Sequence, residues 1–200
     1  MNKKYELVKN DTKEFLGRTL YRIRVLKDFS IFKKGELGGY IEKEDNLSQE
    51  DNACVYGDAW VYGNARVYGN AKVSGNAWVS GNTWVCGNAW VSGNTWVCGN
   101  AWVYDAACVS GNTWVYGNAR VYGNARVYGN ARVSGNVKGD FILCSRFNFE
   151  NQAQLNKWLE LEKQFEEIKD DLKDKPKSLE DLSKEELIKR IKELEEGVSK

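Results

Sequence analysis

The chain has 200 residues, with 29 Lys and Arg against 28 Asp and Glu, a net charge of +1 and no histidine. This balance gives no global attraction to nucleic acid or to a membrane surface. The sequence contains no signal-peptide apolar region and no apolar run of about 18 residues, and its five cysteines lack CxxC spacing. We therefore expect a cytoplasmic protein with reduced thiols that does not span a membrane.

The N-terminal part, residues 1–40, is predicted to form a small β cap. Residues 5–8 and 19–25 alternate between apolar and polar side chains, as strands with one buried face do. The sequence Gly-Gly-Tyr-Ile-Glu at residues 38–42 is predicted to mark the point where a coil of repeats begins.

The middle of the chain, residues 53–136, divides into 14 uninterrupted hexads, each with Ala or Thr, a variable residue, Val, a second variable residue and usually Gly-Asn. The small residue and Val lie two positions apart, so they face the same side of a strand, and Gly-Asn readily turns a corner at positive φ. Ile41 and Leu47 continue the same phase backwards. One corner reads Asp105-Ala106 instead, which indicates either sequence drift or a partner contact.

This pattern resembles the hexapeptide-repeat superfamily, in which three hexads make one triangular coil and the coils wind left-handed. The resemblance implies a mainly β fold, a left-handed parallel β-helix over residues 41–144, with roughly five turns spaced about 4.8 Å apart. A β cap followed by aromatic hexads also resembles uncharacterised bacterial and prophage hexapeptide-repeat proteins, rather than the catalytic acyltransferases.

The C-terminal part, residues 145–200, is predicted to form an α-helical hairpin. Residues 141–143 are apolar and are predicted to plug the open end of the coil. Asn151 is the predicted N-cap of the first helix, and residues 183–186 form a capping box for the second. The apolar stripes of the two helices are Leu155, Trp158, Leu161, Phe165, Ile168 and Leu172, then Leu187, Ile191 and Leu194.

If three hexads make a turn, residues 18 apart stack on one face, and one face carries an outward tryptophan ladder that ends in Arg132. The ladder consists of Trp60, Trp78, Trp96 and Trp114. Four stacked indoles form a larger apolar patch than a soluble monomer usually exposes. Four interpretations stay open: the rings stabilise the coil itself, the C-terminal hairpin covers them, a second copy covers them, or a foreign partner does.

Three arginines fall in consecutive hexads, so that each face of the last turn carries one: Arg120, Arg126 and Arg132. Such a basic collar could meet phosphates or an acidic protein. The favoured interpretation is cation–π stacking, because Arg120 lies one coil from Trp102 and Arg132 one coil from Trp114.

The sequence indicates a protein that is not an enzyme and uses no cofactor or metal, because it lacks the histidine on which acyl transfer and zinc binding in the resembled family depend. We expect a binding protein that docks on a host protein or ribonucleoprotein, in one concrete form a phage or prophage inhibitor of host defence, similar to an anti-CRISPR protein. The alternative is a self-assembling scaffold, a dimer or trimer; an acyltransferase-type enzyme ranks last. The arginines alone also allow direct nucleic-acid contact. The predicted partner-binding residues are Trp60, Trp78, Trp96, Trp114, Arg120, Arg126 and Arg132.

Overall fold

The computed structural model describes residues 3–134, 138–139, 142–143, 148–149 and 151–173. The chain divides into two compact units, Met1–Leu155 and Asn156–Lys200. The first unit contains a parallel β-solenoid of about five turns, built from a nine-stranded, a six-stranded and a five-stranded sheet. The predicted mainly β solenoid is therefore confirmed, while its left-handed winding stays an implication of the family resemblance.

Two groups of strands make up the solenoid unit, and within the hexads each strand spans two residues. The N-terminal elements are β1 (Tyr5–Phe15), β2 (Arg18–Val25), β3 (Leu37–Ile41) and a 3-10 helix (Glu44–Asn46). The following strands are β4 (Cys54–Val55), β5 (Trp60–Val61), β6 (Arg66–Val67), β7 (Lys72–Val73), β8 (Trp78–Val79), β9 (Trp84–Val85), β10 (Trp90–Val91), β11 (Trp96–Val97), β12 (Trp102–Val103), β13 (Cys108–Val109), β14 (Trp114–Val115), β15 (Arg120–Val121), β16 (Arg126–Val127), β17 (Arg132–Val133), β18 (Lys138–Gly139), β19 (Ile142–Leu143) and β20 (Asn148–Phe149).

The interior of the solenoid is filled by the small residue and the valine of each hexad. Val61 pairs in parallel with Val79, one turn further along, and both side chains are fully buried. Where the small residue is threonine, its hydroxyl finds a local partner: Thr95 Oγ1 donates to the carbonyl of Ser92 at 2.5 Å. The alternation of a strand thus separates an apolar interior from two outward positions per hexad.

The corners depend on glycine and asparagine for different reasons. Gly81 has a φ of 73°, and a Cβ built on it would lie 2.6 Å from the carbonyl oxygen of Gly99 in the next turn. The asparagines stack into amide ladders, in which Asn82 Nδ2 donates to Asn100 Oδ1 at 3.0 Å. Glycine is therefore required both for conformation and for close approach, and asparagine links successive turns.

One corner departs from this pattern at both of its positions. Asp105 occupies the glycine position at a φ of 58°, and its carboxylate accepts a hydrogen bond from the Gly123 backbone at 3.1 Å. Ala106 occupies the asparagine position and has no side-chain amide, so the ladder of side-chain amides that reaches Asn88 stops there. Asp105 therefore has a local structural partner within the coil.

The N-terminal cap is continuous with the solenoid. The hairpin of β1 and β2 is antiparallel and β2 pairs antiparallel with β3, which in turn pairs in parallel with β5. Ile41 lies opposite Val61 and Leu47 opposite Val67, so the predicted phase is confirmed. The coil therefore starts at β3, as the sequence predicted.

The open N-terminal end of the coil is closed by Lys4 and Tyr5, both buried. Lys4 Nζ donates to the carbonyl oxygens of Asp51 and Ala53, each at 2.9 Å, and Tyr5 Oη donates to the carbonyl of Leu47 at 2.6 Å. These carbonyls belong to the first turn, which has no preceding turn to bond. Burial lowers the pKa of Lys4, which the Asp51 carboxylate partly offsets.

Beyond the hexads the solenoid continues, which corrects the predicted plug. Residues 142–143 form strand β19, which pairs in parallel with β16, and Tyr128 donates its N–H to the Leu143 carbonyl at 2.8 Å. The ladder then runs to β20, which pairs with β17. Leu143 lies opposite Val127 and is fully buried, so the coil persists beyond the regular hexads through backbone hydrogen bonds and an inward apolar side chain.

A single α-helix, α1 (Gln152–Lys173), is described near the C-terminus. Asn151 Oδ1 accepts the backbone N–H of Gln154 at 3.0 Å, so the predicted N-cap is confirmed. Leu155 of the predicted stripe is buried, whereas Leu161 is exposed. The predicted second helix lies outside the described residues. Within those residues, no helix is both long and apolar enough to cross a membrane.

The outward ladders as a candidate docking surface

The nine-stranded sheet carries the predicted tryptophan ladder on its outer surface. Adjacent indoles are stacked with ring centroids 4.7, 4.8 and 4.9 Å apart and interplanar angles of 9°, 11° and 5°. The ladder consists of Trp60, Trp78, Trp96 and Trp114. Because each inner ring is covered on both faces by its neighbours, the ladder presents ring edges to its surroundings.

A guanidinium group stacks at each end of this aromatic column. Arg132 lies over the ring of Trp114 with its Cζ 5.0 Å from the centroid. At the other end Tyr40 is paired with Trp60 in the strand register, and Arg22 lies 5.0 Å over the Tyr40 ring. The column therefore ends in cation–π contacts in both directions.

The five-stranded sheet carries a shorter ladder. Trp84 and Trp102 stack at 4.8 Å with an interplanar angle of 5°, and Arg120 lies 5.0 Å over the Trp102 ring. Together with Arg132 on Trp114, this contact confirms the favoured cation–π interpretation. The role of these residues in partner binding stays a prediction.

The six-stranded sheet has no such ladder, because successive outward residues in its column are of different chemical types. Trp90 stands between Lys72 and Cys108 in the register, is 47% exposed and donates its Nε1–H to Ser74 Oγ at 3.4 Å. Arg126 is exposed in the same column. The three collar arginines thus lie on three different sheets and do not converge on one anion.

The N-terminal hairpin covers the first half of the long ladder. The Phe15 ring makes edge-to-face contacts with Trp60, Tyr62 and Trp78, at centroid distances of 5.5, 5.9 and 4.8 Å. Sequence reasoning did not foresee this cover. The sequence shows only an aromatic residue at the end of an alternating strand, and this does not predict where the hairpin tip packs.

The second half of the ladder is not covered in this way. Trp96 and Trp114 are each 38% exposed. The edge of an aromatic ring is its electropositive part, so these edges suit apolar groups, aromatic faces and carboxylates. We call this surface, Trp96 and Trp114 with Arg132 at its end, the uncovered half-ladder.

Of the three collar arginines, Arg132 alone lies at the end of the uncovered half-ladder, because Arg120 and Arg126 lie on the other two sheets. Arg120, Arg126 and Arg132 are all exposed, and none forms an ion pair with another described residue. An acidic group on a partner would therefore meet no competing carboxylate from the described part of this chain.

Three of the described cysteines have environments that disfavour a reactive thiolate. Burial raises the pKa of Cys54, Cys86 and Cys98, which favours the protonated thiol at neutral pH. Cys54, Cys86, Cys98 and Cys108 are free, and Cys144 lies outside the described residues. Within the described part of the chain, no three His, Cys, Asp or Glu residues are grouped in a way that could hold a metal ion.

One family of known proteins matches the hexads. Its description is YdcK beta solenoid repeat, and the matching segments are residues 59–72, 65–81, 71–87, 114–127 and 125–137. No curated protein matches the chain. The narrower hexapeptide-repeat and prophage resemblances stay predictions. Over these segments, which include most of the tryptophan ladder, the chain is similar to YdcK-type β-solenoid repeats.

Proposed function

We propose that this β-solenoid is a non-catalytic docking protein that binds another macromolecule through the uncovered half-ladder. The observation that carries the proposal is the unequal cover of one ladder: Phe15 packs against Trp60 and Trp78, while Trp96 and Trp114 stay 38% exposed. Burial of apolar surface is favourable by about 25 cal/mol per Å², and tryptophan and arginine dominate the energetics of many protein interfaces. A rigid coil also loses little conformational freedom on binding.

The non-catalytic part of the proposal rests on the chemistry of the side chains. The chain has no histidine to act as a general base near neutral pH, and burial raises the pKa of Cys86 and Cys98. The purified protein is expected to show no acetyl transfer from acetyl-CoA. Turnover that persists through repurification would contradict this.

One specific form of the proposal takes the partner to be a host protein or ribonucleoprotein in the cytoplasm, with the chain acting as an inhibitor of host defence in the manner of an anti-CRISPR protein. That form rests on the resemblance to prophage proteins. The uncovered half-ladder supports the broader statement, a docking surface, whichever macromolecule occupies it.

The experiment compares tryptophan variants on two different sheets of the solenoid. The double variant Trp96→Thr and Trp114→Thr removes the uncovered indoles, and Trp90→Thr removes an indole of the six-stranded sheet that is more exposed than either of them. Threonine suits a strand position, so circular dichroism should show intact solenoids in both. Sedimentation velocity then measures association, first of the protein alone and then in cell extract.

The double variant is expected to lose the association that the intact chain shows, and Trp90→Thr is expected to keep it. Equal loss in both variants, or association that survives the double variant, would contradict the proposal. Capture of a protein from extract counts only if it depends on Trp96 and Trp114.

A further inference from the structure

We propose that the macromolecule bound by the uncovered half-ladder is a second copy of this chain, held in an antiparallel two-fold dimer. Each N-terminal hairpin tip then packs against the partner's Trp114 and the partner's Arg132. This inference rests on the proposed function, because it names the occupant of the same surface. Shape, contact chemistry and charge support it separately.

The shape of the outer surface is self-complementary. The hairpin tip rises over the level of Trp60 and Trp78, and its turn residue Leu16 is 82% exposed. The next two levels, Trp96 and Trp114, carry no such cover. A two-fold axis that lies in the interface, parallel to the strands at the level of Trp96, places the raised half of each copy over the bare half of the other, as a closed isologous interface requires.

The contact chemistry already occurs once within the chain. Phe15 meets the edge of Trp78, since Trp60 and Trp96 cover both faces of that ring. An apolar group from a hairpin tip therefore fits against the edges of this ladder. In the dimer, Leu16 repeats this contact one level beyond the axis, on the edge of the partner's Trp114.

Charge gives the dimer its direction. On the tip, Arg18 is held by Glu42 at 2.7 Å, whereas Glu14 is exposed and has no ion-pair partner among the described residues. Within residues 14–18, Glu14 therefore carries the charge without an ion-pair partner among the described residues, while the neighbouring Lys13 lies over the Tyr40 ring, 5.6 Å from its centroid. Arg132, at the end of the ladder, is exposed and equally unpaired within the described part of the chain. The two-fold axis brings Glu14 to the partner's Arg132 twice per dimer.

Charge reversal in the full chain tests this arrangement, with sedimentation equilibrium as the readout. The intact chain is expected to be a dimer, and Glu14→Arg or Arg132→Glu alone is expected to weaken it by about tenfold or more. The double variant restores opposite charges in both pairs and should recover most of the affinity. Arg126→Glu, on the six-stranded sheet, is the matched control and should leave the dimer unchanged.

Leu16→Asp offers a second variant at an exposed turn, where aspartate tolerates the φ of 49°, and it should also abolish the dimer. A dimer that ignores both single reversals, or that the double reversal fails to restore, would overturn this geometry. A monomeric intact chain that still forms a Trp96-dependent complex with another protein would overturn the dimer alone. Absence of both kinds of association would overturn the proposed function as well.

Discussion

Phe15 and Trp78 meet edge to face, with ring centroids 4.8 Å apart and an interplanar angle of 75°. Phe15 belongs to the N-terminal hairpin and Trp78 to the solenoid, so this contact makes the hairpin part of the outer surface of the coil. It also divides the tryptophan ladder into a covered half and an uncovered half. Both the stability of the cap and the available docking surface depend on it.

Replacement of Phe15 by alanine should therefore loosen the hairpin tip. We expect the free energy of unfolding to fall by roughly 1–3 kcal/mol, less than for a fully buried phenylalanine, because Phe15 is only partly buried. Urea unfolding in dilute solution measures the loss. Ile31→Ala, which removes an exposed apolar side chain, is the control and should cost less than about 0.5 kcal/mol. Equal costs for both variants would contradict the anchoring role of Phe15.

Two glycines distinguish the need for a positive φ from the need for close approach between successive turns of the coil. Gly17 and Gly81 have nearly the same φ, 72° and 73°, but a Cβ at Gly17 would meet nothing within 4 Å, whereas one at Gly81 would lie 2.6 Å from a carbonyl oxygen. Alanine at Gly17 should cost about 1–2 kcal/mol, the penalty for positive φ. Alanine at Gly81 should cost clearly more in urea unfolding. Similar costs would show that close approach between turns adds nothing.

The irregular corner offers a test in the stabilising direction. Ala106→Asn supplies the missing amide between Asn88 and Asn124, so it should extend the corner ladder across both neighbouring turns. We expect a gain of about 0.5–1 kcal/mol in the free energy of unfolding, the usual net value of a hydrogen bond. Gln at the same position is the control, since its longer side chain does not match the ladder. A loss of stability with Asn would indicate that alanine serves a contact at this corner.

Alkaline pH should destabilise the solenoid partly through Cys54. Burial raises the pKa of the Cys54 thiol above its ordinary value of 9.0, so above that pH the unfolded chain releases a proton that the folded chain keeps. The unfolded state then binds fewer protons, and stability falls as pH rises through this range, with a slope of at most about 1.4 kcal/mol per pH unit.

The variant Cys54→Ala removes this contribution. The difference in unfolding free energy between pH 8 and pH 10, measured by urea unfolding, should be smaller in the variant than in the intact chain. Other thiols and tyrosines titrate in both proteins and cancel in the comparison. Identical pH profiles would show that the Cys54 thiol ionises in the folded chain as it does when unfolded.

The regular part of the fold could be predicted from sequence because one period controls it. A valine every six residues fixes which side chains face inward, and three hexads per turn then place Trp78 next to Trp96 and Arg132 next to Trp114. The corners follow from the left-handed conformation that glycine accepts. Ladder and cation–π contacts thus followed from the spacing once the family resemblance implied three hexads per turn.

The irregular parts depend on tertiary packing, which spacing does not encode. Phe15 reaches the ladder only because the hairpin tip bends over the coil, and Lys4 is buried only because the first turn leaves carbonyls to be bonded. In strand β19, Leu143 pairs with Val127 and is fully buried, so an inward apolar residue continues the coil where the hexad spelling ends. The occupant of the uncovered half-ladder is set by contacts between molecules, which the spacing does not encode either.

Hydroxyl-radical footprinting with mass spectrometry tests the docking surface most directly, because it reports the exposure of individual tryptophans. Oxidation of Trp90, Trp96 and Trp114 would be compared between dilute protein and protein in its associated state. The account predicts that Trp96 and Trp114 become protected on association while Trp90 is oxidised equally in both. Protection of Trp90, or unchanged oxidation of Trp96 and Trp114 in a stable complex, would contradict it.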